Sequence, residues 1–256
     1  MDLKLRGKKA VVTGASRGIG RAIAELLADE GCDVAICARG QAGVDAVVAD
    51  LKGRGVNAFG EGVDIADGAA LKAFIGRAGE ALGGIDILVS NASALTQGNS
   101  DEAWQAGLDI DVMGAVRSFD AAKPFLTKAA AESGDAAFVM IASISAAEAT
   151  SPGAYGAVKA ALIHFAKGVA KENAPAHIRA NVVSPGTVFF EGGVWGNVKA
   201  GAPAFFETMI KRNPMGRMAT PQEIAAATVF LASPLSAFTT GSNLVVDGGI
   251  SARVNF

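Results

Sequence analysis

The sequence predicts an α/β fold: one domain over residues 1–256, built on a doubly wound parallel sheet of about seven strands with helices on both faces. Apolar runs rich in valine and isoleucine alternate with helical patterns from one end to the other, as expected for parallel strands buried on both faces. Half of the 256 residues are apolar, enough to bury one substantial core. No linker, repeat or low-complexity tract divides the chain.

Taken in order, Lys9–Thr13 reads as a first strand, and an amphipathic stretch over Arg17–Glu30 as the helix that follows it. Asp33–Cys37 is the second strand and Gln41–Lys52 the second helix; Val56–Glu61 and Ala69–Leu82 repeat the pair. Ile85–Ser90 is a fourth strand, followed by one long helix over Asp101–Ala131. Ala137–Ala142 is a fifth strand, and the alanine-rich run Ala154–Asn173 a helix. Arg179–Ser184 and Asn243–Val246 complete the strands. Before the last of them, Thr220-Pro221-Gln222-Glu223 opens a helix to Ala232 with a cap, a proline at the first position and a capping-box acid. Residues 187–218 break the alternation, with Phe189, Phe190, Trp195, Phe205 and Phe206 among glycines and a proline. Such a segment is a substrate lid or binding loop, or a short helical excursion packing its aromatics on the body; the two readings are compatible.

Charge and composition exclude several classes. A net charge of −2 without a basic stripe argues against a nucleic-acid partner. No uncharged apolar run reaches the length of a membrane span. The charged start, Met1-Asp2-Leu3-Lys4-Leu5-Arg6, leads straight into a strand rather than a signal peptide, so a cytoplasmic location is expected. Cys32 and Cys37 lie around the second strand as small core residues, with no histidine or second thiol motif nearby. His164 and His177 are too few for a histidine-rich site, and no metal is expected. His164 shares a helix with Tyr155 but is turned about half a turn away, in a packing or surface position.

The segment Thr13-Gly14-Ala15-Ser16-Arg17-Gly18-Ile19-Gly20 follows the first strand directly and runs into a helix. Glycines there let the backbone turn tightly and approach a pyrophosphate, while the helix start supplies free N–H groups and partial positive charge. The second strand ends Ala35-Ile36-Cys37-Ala38-Arg39, without the acid that would hydrogen-bond an adenosine ribose and repel a 2′-phosphate. Arg39 and Arg17 therefore favour NADP(H) over NAD(H), the alternative being two ordinary surface charges. Asp64, after the third strand, is placed to meet the adenine amino group or to serve as a helix cap.

Tyr155 is the only tyrosine, and Lys159 follows it by four residues, which on a helix brings their Cβ atoms to about 5–6 Å. A free phenol ionises near pH ~10, so it serves as an acid or base near neutrality only beside a fixed positive charge. An isolated pair of this kind is more often a lysine draped over a surface ring. Ser143 precedes Tyr155 by twelve residues at the end of the fifth strand, with Ser145 two further on.

With the glycine loop, Ser143 and Tyr155-x-x-x-Lys159 in one chain, the sequence resembles the short-chain dehydrogenase/reductase family over almost its whole length, and within it the 3-oxoacyl-[acyl-carrier-protein] reductase branch. Asn91-Ala92-Ser93 resembles the family's strand-four motif, Asn181 to Gly186 its strand-six motif, and Gly216 to Ala225 with Gly241 to Gly249 its C-terminal third. The resemblance implies a Rossmann-type fold and an NADPH-dependent reduction of a ketone or 3-oxoacyl carbonyl to a secondary alcohol, reversible by hydride transfer. It implies Tyr155 as general acid/base, Ser143 as hydrogen-bond donor to the substrate oxygen, and Lys159 on the nicotinamide ribose, favouring the phenolate. It further implies cofactor contacts from Gly14, Ser16, Arg17, Gly18, Ile19, Gly20, Arg39, Asp64, Ile65, Asn91, Ala92, Pro185, Gly186 and the main chain of Val188. Three positions depart from the family. Asp111 stands where a relay asparagine is usual; if the relay uses the main-chain carbonyl, Asp111→Asn leaves reduction largely intact. Ser93 replaces a glycine, and Phe190 replaces a threonine that binds the carboxamide. The apolar segment over 187–218 suits a mostly apolar small-molecule carbonyl or alcohol. The resemblance also implies a homotetramer, with the long helices around Asp101–Ala131 and Ala154–Asn173 forming one interface; a separate expectation is that Ser251–Phe256 reaches a neighbouring subunit. A non-catalytic nucleotide-binding protein of the same fold is the competing expectation.

Overall fold

In the computed structural model, which describes residues 2–149 and 152–254, the strands are β1 (Lys9–Thr13), β2 (Asp33–Ala38), β3 (Ala58–Gly62), β4 (Ile87–Ser90), β5 (Ala136–Ile141), β6 (Ile178–Pro185) and β7 (Asn243–Val246). They form one seven-stranded sheet in the order β3-β2-β1-β4-β5-β6-β7, with every neighbouring pair parallel. Successive strand residues point to opposite faces. Along β1 this sends Ala10 and Val12 into one core layer and Val11 into the other. The first layer lies under α1 (Gly18–Asp29), α2 (Gln41–Gly53) and α9 (Pro221–Ala232). The second lies under α3 (Gly68–Leu82), α5 (Met113–Ser133) and α6 (Ala154–Asn173), where Phe74 and Phe138 are fully buried. Strand order reverses between β1 and β4, opening a crevice at their C-terminal ends, the place where doubly wound sheets bind ligands.

Local chemistry explains the boundaries that differ from expectation. β3 starts at Ala58 rather than Val56 because Asn57 is held by a side chain: its N–H and Nδ2 donate to Asp33 at 2.8 and 3.1 Å. The helix expected over 101–131 is three pieces: α4 (Asp101–Ala106), a π-helical turn (Gly107–Val112), and α5, which runs on to Ser133. A π-helical turn is set by its i→i+5 backbone hydrogen bonds, and it offsets the helix face after it by about one residue, a shift that a continuous helical pattern on both sides hides. The segment over 187–218 is not irregular throughout; it contains α7 (Val194–Gly201) and α8 (Pro203–Arg212). Their aromatics pair, with Phe189 edge-on to Phe206 at 5.6 Å and Trp195 stacked on Phe205 at 6.1 Å. Lys199 Nζ lies 5.1 Å from the Phe189 ring and 5.8 Å from that of Phe206.

The capping box of α9 is present, with Thr220 Oγ1 accepting from the Glu223 N–H and Glu223 accepting from the Thr220 N–H. Cys32 and Cys37 are core residues, and burial pushes both thiols up to about 12. His164 is exposed. The described part of the tail folds back on its own chain, Ala252 N–H donating to Glu148 Oε1 at 2.9 Å; Asn255 and Phe256 lie outside the described residues. Among the described residues no helix is long and apolar enough to cross a membrane, and no cluster of side chains could hold a metal ion.

Candidate active site

At the end of β1 the chain turns through Gly14–Arg17 into α1, and three neighbours fasten that turn. The N–H groups of Gly14 and Ala15 donate to the Cys37 carbonyl of β2 at 2.8 and 3.1 Å. Beyond β4, Asn91 Nδ2 donates to the carbonyls of Thr13 (3.1 Å) and Gly14 (2.9 Å). Thr13 Oγ1 in turn accepts from the N–H groups of Asn91 and Ala92 at 3.1 and 3.3 Å. Gly14 has φ +67°, and a Cβ there would stand 2.8 Å from Ala92 Cα, so both conformation and space require glycine. Gly20 is buried against the Asn91 amide and the Gly14 carbonyl.

The starts of α1 and α2 both lack a side-chain cap and a first-turn acid. Arg17, at the N-cap of α1, is extended. By contrast, Asp67 caps α3, accepting from the Ala69 and Ala70 N–H groups at 3.0 Å. Free donors and an unopposed dipole at the switch point of the sheet suit a pyrophosphate. Ser16 faces Gly43 of α2, and Ile19 is half-buried beside the turn. Arg39 is exposed, without a hydrogen-bond or ion-pair partner among the described residues. Arg17 is also exposed, and its Nη1 donates to the Gly192 carbonyl at 3.1 Å. The Phe190 ring lies over Gly18, where a Cβ would meet its Cζ at 2.5 Å.

Asp64 accepts from the Ala66 N–H at 3.0 Å, a local turn, and Ile65 behind it is buried against Gly114. At the end of β6, Gly186 N–H donates to the Val246 carbonyl beyond Pro185, at 3.0 Å. Val188 bridges to Ala219 through its neighbours: Ala219 N–H donates to the Thr187 carbonyl and Phe189 N–H to the Ala219 carbonyl. That pattern leaves the peptide N–H and C=O of Val188 itself turned away from the bridge. These residues fit a dinucleotide laid across the C-terminal edge of the sheet.

The titratable groups gather at the ends of β4 and β5. Ser143 follows β5, is buried, and its Oγ accepts from the Ser145 N–H at 3.1 Å. α6 packs closely on that turn, since a Cβ at Gly156 would stand 2.6 Å from the Ser145 carbonyl oxygen. Tyr155, half-buried, lies in the first turn of α6, and Lys159 Nζ sits 5.7 Å from its ring. Lys159 is not a surface lysine; it is 2% exposed and donates to the Ile141 carbonyl at 3.0 Å. The π-helical turn brings Asp111, also 2% exposed, to the same place, with Oδ1 2.9 Å from Lys159 Nζ. The angle is not that of a hydrogen bond, and Oδ1 has no hydrogen-bond partner among the described residues. Oδ2 accepts from the Ala94 N–H at 2.9 Å.

Three groups in this arrangement carry no sequence signal: the Ile141 carbonyl, the Ala94 N–H, and the Leu95 backbone. Leu95 adopts φ 51° while Ser93 Oγ accepts its N–H at 3.1 Å, which turns an exposed leucine out beside the site. The hydroxyl of Thr13 was legible as the strand's last residue, but not as the clasp on Asn91.

The comparisons agree with this geometry. A family model described as Enoyl-(Acyl carrier protein) reductase matches residues 14–251. The chain is 34% identical over 257 residues to isoepoxydon dehydrogenase patN of Penicillium expansum, covering 98% of each. It is also 34% identical to the 3-oxoacyl-[acyl-carrier-protein] reductase FabG of Chlamydia pneumoniae, covering 98% of this chain and 100% of that one. Among solved structures, L-sorbose reductase from Gluconobacter frateurii complexed with NADPH and L-sorbose superposes with a TM-score of 0.90 at 32% identity, over 99% of this chain and 100% of that one. The NADH-dependent reductase A1-R′, responsible for alginate metabolism, gives 0.86 at 30% identity, over 98% and 100%. A glycine turn fastened by Asn91, a buried lysine one helical turn beyond the single tyrosine, and matches along the whole length lead to one conclusion: the chain belongs to the short-chain dehydrogenase/reductase family of oxidoreductases.

Proposed function

We propose that the protein reduces a ketone or 3-oxoacyl-type carbonyl to a secondary alcohol with NADPH, reversibly, and that Tyr155 is the general acid/base. The observation that carries this reading is the half-buried Tyr155 one helical turn from the buried Lys159, on a helix packed against the turn that bears Ser143. When bound, the nicotinamide supplies hydride to the carbonyl carbon. Ser143, already accepting from Ser145, keeps its own O–H to donate to the carbonyl oxygen, where negative charge develops. Tyr155 gives that oxygen a proton during reduction and takes it back during oxidation. An ammonium has three N–H groups, and Lys159 directs one to Ile141 and lies beside Asp111, which leaves it capacity for a ribose hydroxyl. Arg17 and Arg39, both exposed at the edge of the crevice, would take the 2′-phosphate. Leu95 and the paired aromatics of α7 and α8 favour an apolar substrate.

The test is NADPH oxidation, followed by absorbance, with a panel of ketones and 3-oxoacyl esters. At least one substrate should turn over, and Tyr155→Phe should lower kcat by ~100-fold or more while NADPH still binds. NADPH binding without turnover across the panel would favour the non-catalytic alternative. Fluorescence titration decides the cofactor separately: tighter binding of NADH than of NADPH would remove the roles given to Arg17 and Arg39.

A further inference from the structure

We propose that Asp111 is a positioning residue that acts through Lys159: a fixed, buried counter-charge that neutralises the ammonium and sets where its remaining N–H groups point. The proposal rests on the catalytic reading of Tyr155 and Lys159 given above.

Two donors converge on this side chain from different elements. The Ala94 N–H, in the loop after β4, meets Oδ2, and the Lys159 ammonium, on α6, approaches Oδ1, each at 2.9 Å. A carboxylate accepts at both oxygens, whereas a carboxamide accepts at one end and donates at the other. An asparagine at 111 would turn its NH2 group on either Ala94 or Lys159, whichever way it was flipped. On this proposal Asp111→Asn is not a neutral change, in contrast to the expectation that follows if the relay uses only the main-chain carbonyl.

The pair is not an ordinary stabilising contact. Both side chains are almost wholly buried, at 2% and 1% exposure, and burying an ion pair is often no better for stability than burying apolar groups of the same size. Oδ1 lacks a hydrogen bond although the ammonium is at contact distance, and Nζ donates to the Ile141 carbonyl. Asp111 also lies in the π-helical turn, a feature that recurs at functional sites. The groups facing Lys159 are Asp111 from that turn, Tyr155 from its own helix, and the neutral carbonyl of Ile141 from β5. Among the described residues, Asp111 holds the one carboxylate within ion-pair distance. With it in place, Tyr155 faces a neutral pair rather than an uncompensated cation.

Two measurements on the full-length protein test this. The first is the pH dependence of kcat/KM for NADPH-driven reduction in wild type and Asp111→Asn. The alkaline limb should move to lower pH by about one unit in the variant, since reduction needs a protonated phenol and an unpaired ammonium favours the phenolate. Superimposable profiles would overturn the proposal. The second needs no turnover and no folded Asp111→Asn protein. Lys159→Met alone leaves a buried carboxylate unpaired and should lower Tm by on the order of 10 °C, whereas Asp111→Asn/Lys159→Met should melt well above that single variant. A double variant that melts at or below Lys159→Met would show no coupling and sink the idea. Wild-type inactivity across the substrate panel would defeat the catalytic reading instead, and would leave this melting comparison intact.

Discussion

Replacing Gly20 by alanine sets two opposing effects against each other in the cofactor turn. Gly20 lies in α1, and alanine is the better helix former by about 1 kcal/mol, so local propensity alone predicts a more stable protein. Its Cβ would overlap the Asn91 amide nitrogen and the Gly14 carbonyl, and would come to 3.0 Å from Ala15 Cα. Most of these are backbone atoms and cannot swing aside as the end of a flexible side chain would. Overpacking of this kind costs about 1–3 kcal/mol. Displacing Asn91 also threatens its bonds to Thr13 and Gly14, at 3.1 and 2.9 Å, each contributing about 1 kcal/mol. Crowding should win by about 2–4 kcal/mol, a fall in Tm of about 5–15 °C for a domain of this size. Because the displaced atoms form the turn itself, the Kd for NADPH should also rise by at least ~10-fold, or about 1.4 kcal/mol. Thermal denaturation and fluorescence titration read the two effects separately. A Tm at or above wild type, with Kd within about twofold, would mean that helix propensity decides and that the close approach of α1 to Asn91 is unimportant.

Two further predictions concern groups outside the reaction centre. Glu223 is held down to about 2 by the Arg217 guanidinium, which donates to it at 2.6 and 2.7 Å, and by the Thr220 N–H. Its folded-state value lies below the ordinary 4.5, so the stabilisation is complete above 4.5 and is lost as the pH falls towards 2. The pair is exposed and screened, so Glu223→Gln should flatten the stability–pH curve in that window by less than about 1 kcal/mol, with the difference shrinking in high salt; parallel curves for the two proteins would contradict this. Cys32 and Cys37, both pushed up to about 12 by burial, should not react with a thiol reagent at mildly alkaline pH until the protein unfolds, when both should react. Labelling of either in the native state would show that the core opens there.

The order of strands and helices, the glycine turn and the Tyr155–Lys159 pair were legible in the sequence because each is written in a short local pattern. Apolar alternation marks strands, the longer period marks helices, and a four-residue spacing fixes neighbours on one helix face. The capping box at Thr220 and Glu223 is equally local, which is why its geometry follows its letters. What only the tertiary structure decided is whom those residues meet. Phe190 covers Gly18, and Arg17 reaches the Gly192 carbonyl, contacts that join chain segments far apart in sequence. Lys159 and Tyr155 were paired by spacing, but the lysine's burial and its partners come from β5 and the π-helical turn. Main-chain donors and acceptors such as the Ala94 N–H and the Ile141 carbonyl are present at nearly every residue, so no letter distinguishes them. Asp111 was visible as an unexpected acid. That the Ala94 N–H and the Lys159 ammonium close on it from separate elements is a consequence of how the sheet and helices pack.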